Sequence, residues 1–403
     1  MSIEPSNTAS SDAYRSARVL TYLLFFIFAL TTDAVGVVIP EVVKEFDLSL
    51  TQAGSFHYAT MLAIALSGAF LGSLADTYGR RFALLFGMGL FAASCIAFVT
   101  GRQFLFLLAL IFLMGVSIGV FKTAALALVG DASADQTAHT HTMNMAEGFF
   151  GLGAIVGPAI VTVMLANGIH WTNLYVIAGG LCLLVMLYAS RLTFPSYKPK
   201  VSNSASFRKL WAFSKDPYAM GFALAIMLYV VAEAAIYVWM PTYLASYDGS
   251  FQLLAAYALT LFFCLRAGGR FLGAWILKRT SWKASLTIAT GLVAACYAGA
   301  VVLGVQYAIF LLPLSGLFMS LIYPTLNSKG ISCFDAHDHG SVAGFLLFFT
   351  AVAAAGGPLI MALIGDVFGD MKYGFIFSLG CAVALFGMAA ANQLTKATSG
   401  RLG

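Results

Sequence analysis

Twelve apolar stretches, each about as long as a helix must be to cross a bilayer, dominate this 403-residue chain. They lie near residues 19–40, 52–75, 82–99, 103–130, 143–165 and 171–193, then near 218–246, 251–277, 284–302, 306–333, 339–365 and 373–393. Lipid offers no partner to backbone N–H and C=O groups, so stretches of this length close their own hydrogen bonds as helices. The composition agrees: 60% of residues are hydrophobic and only 10% charged, against about a quarter charged in a soluble domain. The spacing therefore predicts an all-α integral membrane protein with twelve spans and both termini on one side.

Loop charges set the orientation. Sixteen of the 22 Lys and Arg residues fall in loops on the side of the termini, among them Arg80, Arg81, Lys198, Arg208, Lys278 and Lys283. Three (Lys44, Arg102 and Lys372) fall on the other side, and Lys122, Arg266 and Arg270 lie inside spans. Basic excess marks the cytoplasmic face, so both termini are expected there; the short loops and termini fit a bacterial inner membrane. Residues 1–18 read as a polar cytoplasmic tail without a cleavable signal, and the first span as a retained signal-anchor. Residues 194–217, polar and interrupted by Pro195 and Pro199, read as a linker between six-helix bundles at 19–193 and 218–393; 394–403 is a second tail.

The two halves repeat at an offset near 200 residues. Pro40 answers Pro241, Gly72 answers Gly273, Gly157-Pro158 answers Gly357-Pro358, and Asp131 answers Asp335. Parallel six-helix repeats with a solute site at their interface are the expected architecture. The net charge of +5 is small and scattered, which argues against nucleic acid as a partner. The six cysteines are isolated and read as small buried hydrophobes, neither disulfides nor metal ligands. There is no H-E-x-x-H and no G-x-S-x-G, so an intramembrane enzyme is not expected.

The chemistry must come from charges inside spans: Asp33, Lys122, Glu147, Glu233, Arg266 and Arg270. Unpaired at the bilayer centre, six such charges cost on the order of 15 kcal/mol, so they pair or face water. Depth along the helices suggests Glu233 with Arg266 and Lys122 with Glu147. Asp33 is left to exchange a proton. Helical spacing puts Asn144, Glu147, Gly148 and Gly151 on one stripe, and Tyr229, Glu233, Tyr237 and Met240 on another. His57, beside Tyr58, reads as a packing residue.

Residues 72–81, GSLADTYGRR, resemble the signature loop between helices two and three of the major facilitator superfamily. In that reading Gly72, Asp76, Gly79, Arg80 and Arg81 form a gating motif. Finer stretches are similar to the superfamily's fucose–galactose–glucose proton symporter branch: residues 143–154, Tyr229–Glu233 with Trp239 and Tyr243, and Tyr323-Pro324-Thr325. The resemblance implies a monomeric, proton-coupled importer of a small polar metabolite, with the proton as its coupling ion and no other cofactor. It works by alternating access, in which a protonated carboxylate is cheaper to carry through a closed state.

Asp33, Glu233 and Glu147 are the candidate proton carriers. Lys122, Arg266, Asn144, Tyr237, Trp239 and Tyr323 are the candidate substrate residues. Lys122 stands where helix four of that branch carries an acid, and with Arg266 it would also suit a sugar acid or another organic anion. A rival reading is a proton-driven drug or metabolite exporter, because residues 153–158, GAIVGP, resemble the first half of the superfamily's antiporter motif. Its closing glycine pair is replaced by Val161 and Thr162. A third is a membrane sensor that binds solute without transporting it.

Overall fold

Among the described residues the apolar stretches close into helices. The computed structural model describes residues 7–71, 74–132, 136–192, 194, 213–277, 279–335, 338–395 and 397–402. In chain order the helices are α1 (Asn7–Thr32), α2 (Val35–Phe46), α3 (Leu50–Ala53), α4 (Ser55–Leu71), α5 (Leu74–Thr77), α6 (Arg80–Ile96), α7 (Phe104–Ala132), α8 (Gln136–Ala166) and α9 (Asn173–Ser190). There follow α10 (Pro217–Ala234), α11 (Met240–Leu244), α12 (Gln252–Ala256), α13 (Ala258–Leu277), α14 (Trp282–Val302), α15 (Val305–Met319), α16 (Ile322–Ser332), α17 (His339–Phe368), α18 (Met371–Thr395) and α19 (Ser399–Leu402).

Eleven stretches of described residues are long and apolar enough to cross a membrane. The second predicted span coincides with α4, whose 17 residues end where residues 72–73 lie outside the described part. Large apolar side chains stand on the outside, with Phe271 83%, Val302 77% and Leu105 75% exposed. Water would penalise so wide an apolar surface, which identifies the surroundings as lipid.

The helices form two compact units. One comprises Met1–Val38 and Ser55–Val201, and the other Ile39–Gly54 and Ser202–Gly403. In the first, α1 packs on α8, α4 on α7, and α6 on α7 and α9. In the second, α10 packs on α17, α13 on α15, and α14 on α15 and α18. Each unit thus pairs its first helix with its fifth, its second with its fourth, and its third with its fourth and sixth. This is the repeat seen in the sequence.

Small residues allow the tightest of these contacts. A Cβ on Gly157 of α8 would strike the Leu30 carbonyl of α1, and one on Gly357 of α17 would lie 2.8 Å from a Val231 methyl of α10. The repeated Gly-Pro pair is therefore a packing device used once in each unit.

Within the second unit, the segment 39–54 is fastened by its backbone. Ser49 and Gln52 form a reciprocal capping box at the start of α3. The Asp366 carboxylate of α17 accepts the N–H groups of Leu50 and Thr51 at 2.7 and 2.9 Å.

Candidate functional site

Both candidate proton-carrying acids of the first and seventh spans stand at irregularities in their helices. The first span is not one helix. It breaks at Asp33–Ala34, where Val37 donates to the Ala34 carbonyl instead of continuing the α pattern. Asp33, 9% exposed, sits in that break and takes a hydrogen bond from the Thr32 hydroxyl at 3.0 Å. In the seventh span, α10 ends one residue after Glu233 and passes into a π-helical turn, Ala235–Trp239, before α11. Pro241 has no N–H to return to the Tyr237 carbonyl, which loosens the ladder at this point. Discontinuous helices of this kind are where membrane transport proteins place solute and ion sites.

In the second unit Glu233 and Arg266 form a salt bridge between α10 and α13, as depth along the spans predicts. The Tyr229 hydroxyl, one turn before Glu233, donates to the same carboxylate at 2.8 Å, with the Met319 carbonyl 3.2 Å away as a second acceptor. The rings of Tyr229 and Tyr323 lie 6.1 Å apart, and the Tyr323 hydroxyl is 3.4 Å from that of Thr350. Gly269 lets α13 approach α15 closely, since a Cβ there would lie 2.5 Å from the Leu317 carbonyl. Arg270, one turn beyond Arg266, is exposed.

Trp239 belongs to the packing of this unit. It is fully buried, and its indole N–H donates to the Pro358 carbonyl at 3.0 Å. Tyr237, between it and the salt bridge, is half-buried. Tyr243 is tied to the Ala300 carbonyl at 3.0 Å.

In the first unit the Lys122 ammonium of α7 lies over the rings of Phe25 and Phe28 on α1, 5.4 and 4.9 Å from their centres. Asp33 and Glu147 are near enough to act on its charge. Among the described residues Lys122 and Glu147 do not form the direct ion pair expected from depth; the ammonium lies over two aromatic faces instead.

The predicted stripe on α8 is present. Asn144, Glu147 and Gly148 are exposed, and added Cβ atoms on Gly148 and Gly151 would meet nothing within 4 Å. The opposite face of α8 carries Gly153 and Gly157 against α1. His57 is 1% exposed, stands edge-on to Tyr58, and borders a void of about 10 Å³ with Thr31, Thr60 and Tyr175. That is room for about one water.

The loop before α6 is a tight turn. Gly79 has φ +90°, a backbone state that side chains avoid, and Arg80 opens α6. Arg81 donates to the Ser190 carbonyl at 2.8 Å and lies over the Phe194 ring, which ties the start of α6 to the end of α9. Gly72 lies outside the described residues, and only the backbone of Asp76 is described.

Two paired-helix units with buried charges at helix breaks define a multi-pass membrane transporter. The family model that describes the Major Facilitator Superfamily matches residues 21–358, and the chain belongs to that family. It is a transporter and not an enzyme. Among its relatives, a putative glucose/galactose transporter of Helicobacter pylori (strain ATCC 700392 / 26695) is 23% identical over 368 residues, covering 85% of this chain and 87% of that one. The L-fucose-proton symporter of Escherichia coli (strain K12) is 24% identical over 423 residues, covering 94% of each. Among solved structures, that of a variant of the E. coli fucose:proton symporter FucP superposes with a TM-score of 0.63 at 19% identity, over 94% of this chain and 98% of that one, a likeness of fold.

Proposed function

We propose that the chain is a proton-coupled secondary transporter of a small polar metabolite: a sugar, a sugar acid or a related organic anion. It works by alternating access, as a monomer in a bacterial inner membrane with both termini cytoplasmic. The observation that carries this reading is the Glu233–Arg266 salt bridge held by Tyr229 beside a π turn. A carboxylate in this position can trade its arginine for a proton, and the released guanidinium can then meet a hydroxyl or carboxylate of the solute. Asp33, at its helix break, and Glu147, on an open stripe, are the further proton carriers. Lys122, Asn144, Tyr237 and Tyr323 are the polar groups offered to solute. Trp239, also offered to solute by the sequence, is held by its hydrogen bond to Pro358 of α17. Relatives named for glucose, galactose and fucose support the sugar class, while Lys122 with Arg266 supports its acidic members. Gly72, Asp76, Gly79, Arg80 and Arg81 are proposed as the gate.

Coupling follows if proton and solute favour the same conformation, since only differential affinity shifts the equilibrium. The test is uptake of labelled hexoses, fucose, sugar acids and simple carboxylates into proteoliposomes, with and without an imposed pH gradient. Accumulation driven by an acidic exterior and abolished by a proton-conducting ionophore is expected. Accumulation that ignores the gradient would remove the proton from the mechanism, and binding without flux for every solute would make the protein a sensor.

A further inference from the structure

A second cavity lies at the end of the second unit that the loop charges assign to the cytoplasm. Its volume is about 480 Å³, within the roughly 300–1,000 Å³ of small-molecule sites. It opens among the ends of α10, α14, α16 and α18, and runs from Tyr218 in the first turn of α10 to Ala225, about two turns or some 10 Å. Phe222, Leu286, Leu326 and Met388 make its wall apolar, and among the described residues no charged side chain lines it. A Cβ on Gly221, which also borders it, would touch nothing within 4 Å. This lining is unlike the polar solute site.

The mouth is different. Trp282 borders the cavity, and the ammonium groups of Lys283 and Lys329 lie 5.7 and 5.8 Å from the centre of its ring. Arg401 lies over the Tyr218 ring at 4.3 Å and pairs with Asp216. Lys283 donates to the Ser399 hydroxyl at 2.7 Å, and an ammonium has two further donors to offer. Asp216 offsets Arg401, so the two lysines remain as the net positive charge of the mouth among the groups named here. An apolar slot ending at two lysines and two interfacial aromatic rings matches an amphiphile with a negative head.

We propose that this cavity binds an anionic phospholipid, with an acyl chain between α10, α14, α16 and α18 and its phosphate against Lys283 and Lys329. The segment Ala397–Leu402 lies beside the head. It is held by the Thr398 contacts to Asn392 and by the Arg401–Asp216 salt bridge. The inference is independent of which solute is carried and of whether protons drive it.

Native mass spectrometry of the full-length protein tests it, with titrations of dioleoyl phosphatidylglycerol, dioleoyl phosphatidylcholine and glycerol 3-phosphate. Phosphatidylglycerol is expected to fill one site ahead of the others. Each basic residue near an anionic headgroup contributes roughly a factor of five, so Lys283→Gln with Lys329→Gln should weaken that site about 25-fold. Gly221→Leu should weaken it by taking up part of the cavity, and Arg191→Gln in the other unit should leave it unchanged. Melting of each variant without lipid separates lost binding from lost folding. Equal binding of the two lipids, equal binding of glycerol 3-phosphate, unchanged binding in Gly221→Leu, or no bound lipid at any concentration would each overturn the proposal.

Discussion

Glu233 on α10 and Arg266 on α13 are 33 positions apart in the sequence and joined by a salt bridge, with Tyr229 bonded to the same carboxylate. Breaking a buried pair from one side strands the other charge, at a cost of up to about 3–5 kcal/mol. The cost here is smaller, because a fifth of the Arg266 side chain remains exposed. Glu233→Gln should lower the melting temperature more than the double variant Glu233→Gln with Arg266→Met. A melting-based double-mutant cycle checks this, and additive losses would mean that the two charges are not coupled. Tyr229→Phe should cost about 1.5–3 kcal/mol, the worth of a hydrogen bond to a charged group.

The glycines of α8 should behave in opposite ways on its two faces. Gly157→Ala pushes a methyl into the Leu30 carbonyl and should destabilise by about 1–3 kcal/mol. Gly148→Ala meets nothing and should stabilise by roughly 0.5–1 kcal/mol through its helix propensity. Thermal unfolding in detergent measures both, and equal responses would contradict the two-faced description.

Trp239 and Lys122 separate packing from solute handling. Trp239→Phe leaves the Pro358 carbonyl without its indole donor and should cost about 1–3 kcal/mol. Lys122→Gln gives up contacts with two rings, worth about 0.5–2 kcal/mol. Its larger effect should be on uptake. If uptake by Lys122→Gln keeps the parent's rate and apparent affinity, Lys122 has no part in solute handling.

At Asp216, burial alone would raise the carboxyl, but Arg401 and the N–H groups of Tyr218 and Ala219 outweigh it and hold the group below its ordinary range. A depressed acid stabilises the fold above its unfolded pKa, about 3.9, and loses that contribution as pH falls through the lower folded value. The melting-temperature gap between the parent and Asp216→Asn should therefore stay constant from about pH 5 to 8 and close below about pH 4. A gap that changed near pH 6 would point to another group. Asp216→Ala also removes the cap of α10 and should cost about 1 kcal/mol.

What could be read from the sequence followed hydropathy and depth. Glu233 and Arg266 could be matched because two opposite charges at equal depth on neighbouring spans have few other ways to avoid lipid. The same reasoning suggested a direct Lys122–Glu147 contact, but it takes no account of aromatic faces, and Phe25 and Phe28 look like any other apolar residues on a hydropathy scale. The break at Asp33 and the π turn after Glu233 were also hidden, because apolar periodicity does not record which carbonyl an N–H chooses. Pro241 was the one visible hint. Trp239 reads differently at the two levels: an indole among tyrosines suggests stacking on a solute, and in the structure it is fully buried with its N–H on the Pro358 carbonyl.

The turn at Ala235–Trp239 has a further consequence for comparing relatives. A π turn holds one residue more than an α turn, so everything beyond it is rotated by about 100° from where an unbroken helix would put it. A gap-free alignment across this point with a relative that lacks the extra residue would pair Tyr243 with a side chain from the wrong side of the helix. Placing a single-residue gap between 235 and 239 restores the correspondence, and assignments of specificity residues in the second half of this span should be made only after that shift.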